Sequence, residues 1–482
     1  MKIKLFLLLI SLALCLGLSG QNTLSINGLN EAQFIYRTAE DSLNAYFRDS
    51  FAFSLAYRNF SFGMKYIAEL PKYSTQQQEL MDNLDPNKLQ LGWQELYVSY
   101  AKDAFSIHAG TTEESFGNGL SFRSYHDLEF DEDHRINGFL FKYDDNFKIK
   151  ALYGAIESPD YALKYDLVYG ADLMSPYAYG VRLGASALSM RNLGAMNNYA
   201  QRDVYSGRML ITWDMLDAYA EYAGSEAYKQ PGLSTSFGKA IYANADFNLG
   251  VIQLGGAYKL YDDFQYRLHD LAMANYHNET LSDALASGVD EEGWQIRSTI
   301  AIGGAANLNV DYAEAWDSSK LKQMNDLYTA MDWMLGSLWL ETAYSHVEKV
   351  DDASSYWQKE TTPALSLGFP VMGKQVQLKS EFKMAEKQSF AVVAEHYEPK
   401  LQLDTAIGKL SLSAALQSNW EDFDAIMDSR YWPAVEVKYP VASHSDLVLF
   451  AGKEAGGKIC RNGVCRYVSA FQGIKAELST RF

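Results

Sequence analysis

Two short stretches hold the residue types that could do chemistry. In the first, Cys460 and Cys465 bracket Arg461-Asn462-Gly463-Val464, and Asn-Gly is the strongest two-residue signal for a type I′ hairpin. That register sets Arg461 opposite Val464 and Cys460 opposite Cys465. The cysteines then fall at a non-hydrogen-bonded position, where facing Cα atoms approach closely enough for a cross-strand disulfide. Zinc is the competing chemistry, but no second pair of cysteines or histidines nearby completes four ligands.

The second stretch runs from Glu113 to Gly138 and is rich in both charges. Phe116-Gly117-Asn118-Gly119 reads as a tight bend. It is not a phosphate cradle, because no strand-loop-helix context and no Lys-Ser/Thr follow. Beyond it, Arg123 and Arg135 bracket Asp127, Glu129, Asp131, Glu132 and Asp133. Such a loop is either solvated surface with local ion pairs or a segment folded into an aqueous lumen, where its charges would set a constriction.

The eight histidines, His108, His126, His134, His269, His277, His346, His396 and His444, form no H-x-x-x-H or H-E-x-x-H pattern. A membrane hydrolase would need an outward-facing Ser and His with an orienting polar partner. His396, between Glu395 and Tyr397, is the histidine that could be built into one, but the spacing of serines constrains nothing. No catalytic, cofactor-binding or metal-ligating residue is assigned, no cofactor is expected, and an enzyme is not the expected class.

The elements that carry these stretches are two-faced strands. In the last ten residues, Ile474, Ala476, Leu478, Thr480 and Phe482 share one face, and Lys475, Glu477, Ser479 and Arg481 share the other. The same alternation recurs at Phe105, Ile107 and Ala109; at Val376, Leu378, Phe382 and Met384; and at Leu410, Leu412, Ala414 and Leu416. Tight connections such as Arg58-Asn59, Lys102-Asp103, Gly336-Ser337, Gly373-Lys374 and Gly408-Lys409 alternate with long polar ones at Pro71–Gln90, Thr112–Asn137, Arg191–Asp203 and Asp262–Gly293.

Met1-Lys2-Ile3-Lys4 followed by the apolar run Leu5–Leu16 reads as a secretory signal peptide over residues 1–20. Cys15 suggests a lipoprotein, but Leu14 stands where a lipobox requires a small residue. Formal net charge is −18, and removal of Lys2 and Lys4 with the leader makes the chain more negative still, so nucleic acid is not an expected partner. Residues 21–482 carry all 10 prolines without any linker-like stretch, and read as one domain. No later apolar run is long enough for a membrane-spanning helix.

Short turns alternating with long loops along many two-faced strands are what a transmembrane β-barrel requires, since in hydrocarbon every backbone N–H and C=O must be paired within a closed sheet. The expected fold is therefore all-β: an antiparallel outer-membrane β-barrel of about 24 strands, an even number between about 20 and 26. The apolar faces then meet lipid and the polar faces line the lumen. A secreted sandwich or propeller with a dry core is the competing architecture. The 33 tyrosines, 24 phenylalanines and nine tryptophans suit interfacial aromatic girdles. Phe482 is the type of terminal residue that barrels present to their assembly machinery.

The same stretches carry a family resemblance. Phe116, Gly117, Gly119, Leu120, Arg123, Ser124 and Tyr125, together with Gly457, Lys458, Cys460, Gly463, Val464, Cys465, Arg466 and Tyr467 and the terminal Arg481-Phe482, resemble an uncharacterised family of outer-membrane β-barrel proteins of Bacteroidota-type genomes, whose first strand is comparable to Ser25–Tyr36. The resemblance is clearest over about the first 170 and the last 30 residues. It implies location and fold and brings no activity. A barrel pattern that starts just after the leader leaves no plug domain to expect ahead of it. A porin-like channel for small solutes is the expected function, with a non-conducting scaffold that holds a partner as the alternative.

Overall fold

The computed structural model describes residues 24–38, 45–70, 90–127, 132–157, 165–192, 201–230, 233–271, 274–276, 281, 289–353, 355–389, 392–420, 430–461, 464–468 and 470–482. The expected leader, residues 1–20, lies outside them. Among the described residues there is no helix, and the dominant element is one closed antiparallel sheet of 24 strands. It closes where Ser25–Arg37 pairs with Phe471–Arg481, Leu29 standing opposite Arg481 and Arg37 opposite Gly473. The sandwich alternative is thereby excluded.

The period of two along each strand sorts side chains to opposite faces of the wall. On Asp290–Ile302, Ile296 and Ile302 are exposed on the outer face while the paired Arg297 and Asp246 face inward. On Phe471–Arg481, Ile474, Leu478 and Phe482 are exposed outward, and Lys475 turns inward to Glu454 at 2.6 Å. An outer apolar belt thus runs along wall strands of 8 to 16 residues, and a tilted transmembrane strand needs about nine to eleven. At its upper edge outward charge appears: Lys239 pairs with Asp262 at 3.4 Å and Lys359 with Glu348 at 3.2 Å, and Glu292 accepts hydrogen bonds from Tyr258 at 2.9 Å and from the Trp316 indole at 3.3 Å.

One end of the barrel carries the tight connections. Left-handed backbone at Arg58, Asp103, Gly336, Gly373 and Gly408 suits two-residue hairpins. Further tight turns at Asp214-Met215 and Ser443-His444, and a short loop between Met174 and Val181, join the set read from sequence. Both ends of the described chain reach this same end of the barrel. The long connections lie at the opposite end, and two of them carry three small sheets: Glu114–Phe116 with Phe122–Ser124 and His126–Asp127 with Glu132–Asp133 in one, and Gly457–Arg461 with Val464–Val468 in the other.

Candidate functional site: the lumen and its infolded segments

On the arc formed by the strands from Ile136–Asp144 to Ile252–Asp262, the inner wall carries an apolar patch where a polar lumen wall was expected. Leu140, Leu152, Ile156, Val168, Leu188, Met190 and Val204 are all buried, although their outward neighbours Phe139 and Tyr153 are more than half exposed. Two segments of the long connections cover this inner patch. Phe116 and Phe122, their rings 4.8 Å apart, sit on it fully buried, and Phe264, Leu268 and Leu271 from the second segment complete the cluster. Burying a phenylalanine or leucine side chain stabilises by roughly 1.5–3 kcal/mol, so the docking is substantial.

Polar contacts fix the two segments to each other and to the wall. The Arg123 backbone N–H donates to Leu268 at 2.9 Å and the Asp270 N–H to Gly119 at 3.0 Å. The Tyr266 hydroxyl donates to the Ser121 carbonyl at 2.8 Å. Ser121 joins the wall hydroxyls of Ser186, at 3.0 Å, and Ser206, at 3.3 Å. Glu114 is gripped by Lys142 and by Lys150, the latter at 2.8 Å. Burial would raise its carboxyl pKa, but these two ammonium groups hold it below the ordinary range. The bend has a notch of its own: a side chain at Gly117, where φ is +56°, would meet the Tyr219 hydroxyl at 2.7 Å and Glu221 at 2.9 Å. Glycine alone fits both the space and the backbone.

The charged residues singled out from the sequence divide between paired groups and groups outside the described side chains. Arg123 pairs with Asp270 and lies 4.2 Å over the Tyr125 ring. Arg135 is buried and contacts Asp133 at 2.7 Å, Glu95 at 3.2 Å and Glu113 at 3.9 Å. Asp127 faces Glu132 in a two-residue ladder, and the side chains of both lie outside the described set. Glu129 and Asp131 lie outside the described residues altogether. Cys460 stands opposite Cys465 in the hairpin register, as expected; their side chains and the turn residues Asn462 and Gly463 lie outside the described set. That hairpin is a two-stranded sheet of its own.

The opposite arc is different. Five inward side chains there remain open to water: Lys379, Glu381, Lys383, Lys387 and Lys400 are 26–46% exposed. They form a ladder of mixed sign, with Lys383 to Glu360 at 2.9 Å, Lys379 to Asp404 at 3.5 Å and Lys400 to Glu381 at 3.5 Å. His396 faces this lumen with its Nε2 3.4 Å from Glu398, not outward as a lipid-level hydrolase needs. Among the described residues no group of His, Cys, Asp and Glu is arranged to hold a metal.

Phe482 occupies a notch at the barrel seam. Its backbone exchanges hydrogen bonds with Gly28, at 2.7 and 3.0 Å, its ring lies on the Gly28 Cα where any side chain would collide, and it stacks on Phe51 at 5.9 Å. Sequence reading missed a second outward feature beside it. Asp49 faces outward between Phe47 and Phe51 and accepts a hydrogen bond from Asn30 at 2.7 Å. The interruption of Phe47-x-Asp49-x-Phe51-x-Phe53 was the available signal.

A closed 24-strand antiparallel wall with lipid-ready outer faces and a partly filled lumen defines an outer-membrane-type β-barrel. The chain belongs to DUF6029, a family of unknown function, which matches it over residues 1–287. No curated protein matches it in sequence. Among solved structures it is similar to the siderophore receptor PirA from Pseudomonas aeruginosa, with a TM-score of 0.51 and 10% identity over 96% of this chain and 81% of that one. It is also similar to a chain of an E. coli P pilus tip assembly intermediate, PapC-PapD-PapK-PapG, with a TM-score of 0.59 and 8% identity over 96% of this chain and 62% of that one. At such identities the likeness is one of fold.

Proposed function

We propose that the protein is a porin-like channel of the outer membrane through which small solutes diffuse. The carrying observation is the unequal cover of the inner wall. Infolded segments bury the apolar arc, while the arc of Lys379, Lys383, Lys387 and Lys400 keeps its ionic side chains in water. Barrels of 16–18 strands leave an aqueous channel and 22-stranded ones a plugged lumen; here 24 strands hold a filling that, among the described residues, packs on one side of the wall. In this reading the segment from Arg123 to Arg135 narrows the passage, and the acidic surplus of Asp127, Glu129, Asp131, Glu132 and Asp133 favours cations, as rings of Asp and Glu do in other pores. The outer apolar belt meets membrane lipid, residues 1–20 are removed on export, Cys460 and Cys465 form a disulfide outside the cell, and Phe482 is read by the barrel-assembly machinery.

Liposome swelling with a graded series of neutral solutes tests the channel. Influx that falls with solute size is expected. Vesicles that stay as tight as empty ones would overturn the reading and leave the non-conducting scaffold, with the infolded segments as filling.

A further inference from the structure

On the water-lined arc, a cavity of about 310 Å³ opens on the inner wall towards the end with the long connections. It is lined by Glu398, Gln417, Asn419, Arg430 and Trp432, together with Ala455 and Gly456. The three strands Val392–Ile407, Leu410–Asn419 and Arg430–Ala442 bring these side chains together. Register sets Trp432 opposite Gln417 and Arg430 opposite Asn419, and the Asn419 amide reaches Glu398 at 3.5 Å. The inward-facing His396, 3.4 Å from Glu398, steadies that carboxylate from the side. Alternation along the strands is the reason: each of the five occupies an inward position, so the chemistry of the cavity is written on every second residue.

The composition of the lining selects its ligand. An indole offers a broad apolar face with little conformational freedom to lose. Carboxamides both donate and accept, a carboxylate accepts, and a guanidinium donates through a rigid planar fork. A sugar ring presents the matching surface, a C–H face bordered by hydroxyls that each donate and accept. A simple ion is matched less well, because Glu398 and Arg430 bring opposite charges to one small site. An acyl chain would leave those charges and both amides without partners. The volume falls near the lower end of the range for small-molecule sites, about 300–1,000 Å³.

We propose that this cavity binds a sugar of monosaccharide size, with Trp432 covering one face of the ring and Gln417, Asn419, Glu398 and Arg430 bonding its hydroxyls. The proposal deepens the channel reading by naming its solute class, yet it is tested by binding and not by conductance. Titration calorimetry of the purified protein, in a detergent without a sugar headgroup, uses D-glucose and maltose as probes and glycine as a zwitterionic control. Millimolar binding of at least one sugar is expected, the weak end of the affinity scale at about −4 kcal/mol, with a Kd raised about tenfold or more in Trp432→Ala and several-fold in Gln417→Leu. If Trp432→Ala fails to fold, Gln417→Leu and Trp432→Phe carry the test. No heat with either sugar, sugar binding indifferent to these substitutions, or tighter binding of glycine would overturn it. Sugar binding by a protein that passes no solute supports the site while sinking the channel; solute flux without sugar binding does the reverse.

Discussion

Asp49 is a carboxylate set among lipid-facing phenylalanines, with Phe47 above and Phe51 below on its own strand and the small Ala32 and Ala68 beside it. Asn30 donates to it at 2.7 Å. A buried polar group that loses its partner costs about 1–3 kcal/mol, whereas replacing both partners with apolar groups is close to neutral. Asn30→Leu is therefore expected to lower the unfolding free energy by about 1–3 kcal/mol, and the double change Asn30→Leu with Asp49→Leu to recover most of it. Urea titration of the barrel in lipid vesicles reads both; a single variant as stable as the parent would place the pair outside the hydrocarbon. Phe482 makes a second prediction at this scale. Its ring sits in the Gly28 notch against Phe51, yet more than half of it stays exposed. Phe482→Ser should reduce the amount of assembled barrel, read as the fraction whose gel mobility changes on heating, while export continues. Unchanged assembly would remove the recognition role.

The infolded segments are the elements on which function turns, and acid should loosen them. His269 stands against Phe264 and Tyr266 within the second segment and faces the Arg202 guanidinium of the wall. Burial lowers its pKa to about 4 from 6.5, so the undocked segment binds more protons between these values and docking weakens as pH falls from 6.5 towards 4, by at most about 3 kcal/mol. Glu114, held below its ordinary pKa by two lysines, acts in the same direction below 4.5, since its contribution is lost as the carboxyl protonates. Conductance at pH 4.5 should exceed that at pH 7, and His269→Gln should flatten the upper part of that change. A conductance independent of pH would contradict the docking chemistry. At the hairpin, a Cys460–Cys465 bridge closes so short a loop that its loss should cost the barrel about 2 kcal/mol or less; free labelling of both thiols on untreated cells would show that no bridge forms. The length and charge of Glu113–Gly138 were legible in the sequence, and so was its bend. Its docking was not, because the signal lay elsewhere: Leu140, Leu152, Ile156 and Val168 make the receiving strands apolar on both faces, which a search for clean alternation passes over.

At the scale of the whole molecule, the strand number was readable because each strand repeats one simple demand, an apolar side for lipid and a polar side for water. The count of 24 followed from accumulation across the chain. Less legible were the cavity around Trp432 and the division of the lumen into a filled arc and an open one. Both depend on which strands stand across from each other in the closed ring, a long-range property that local patterning does not carry. The cation preference belongs to this scale as well, and it should fade as salt rises, since the Debye length is about 8 Å near 0.15 M and about 3 Å at 1 M. The most direct test of an open arc beside a filled one is single-channel recording in a planar bilayer, comparing the intact protein with a deletion of residues 128–134. The intact protein should open in discrete, cation-preferring steps, and the deletion should raise the step size and reduce the preference together. A properly folded protein that gives no steps, with or without the deletion, would contradict the channel outright.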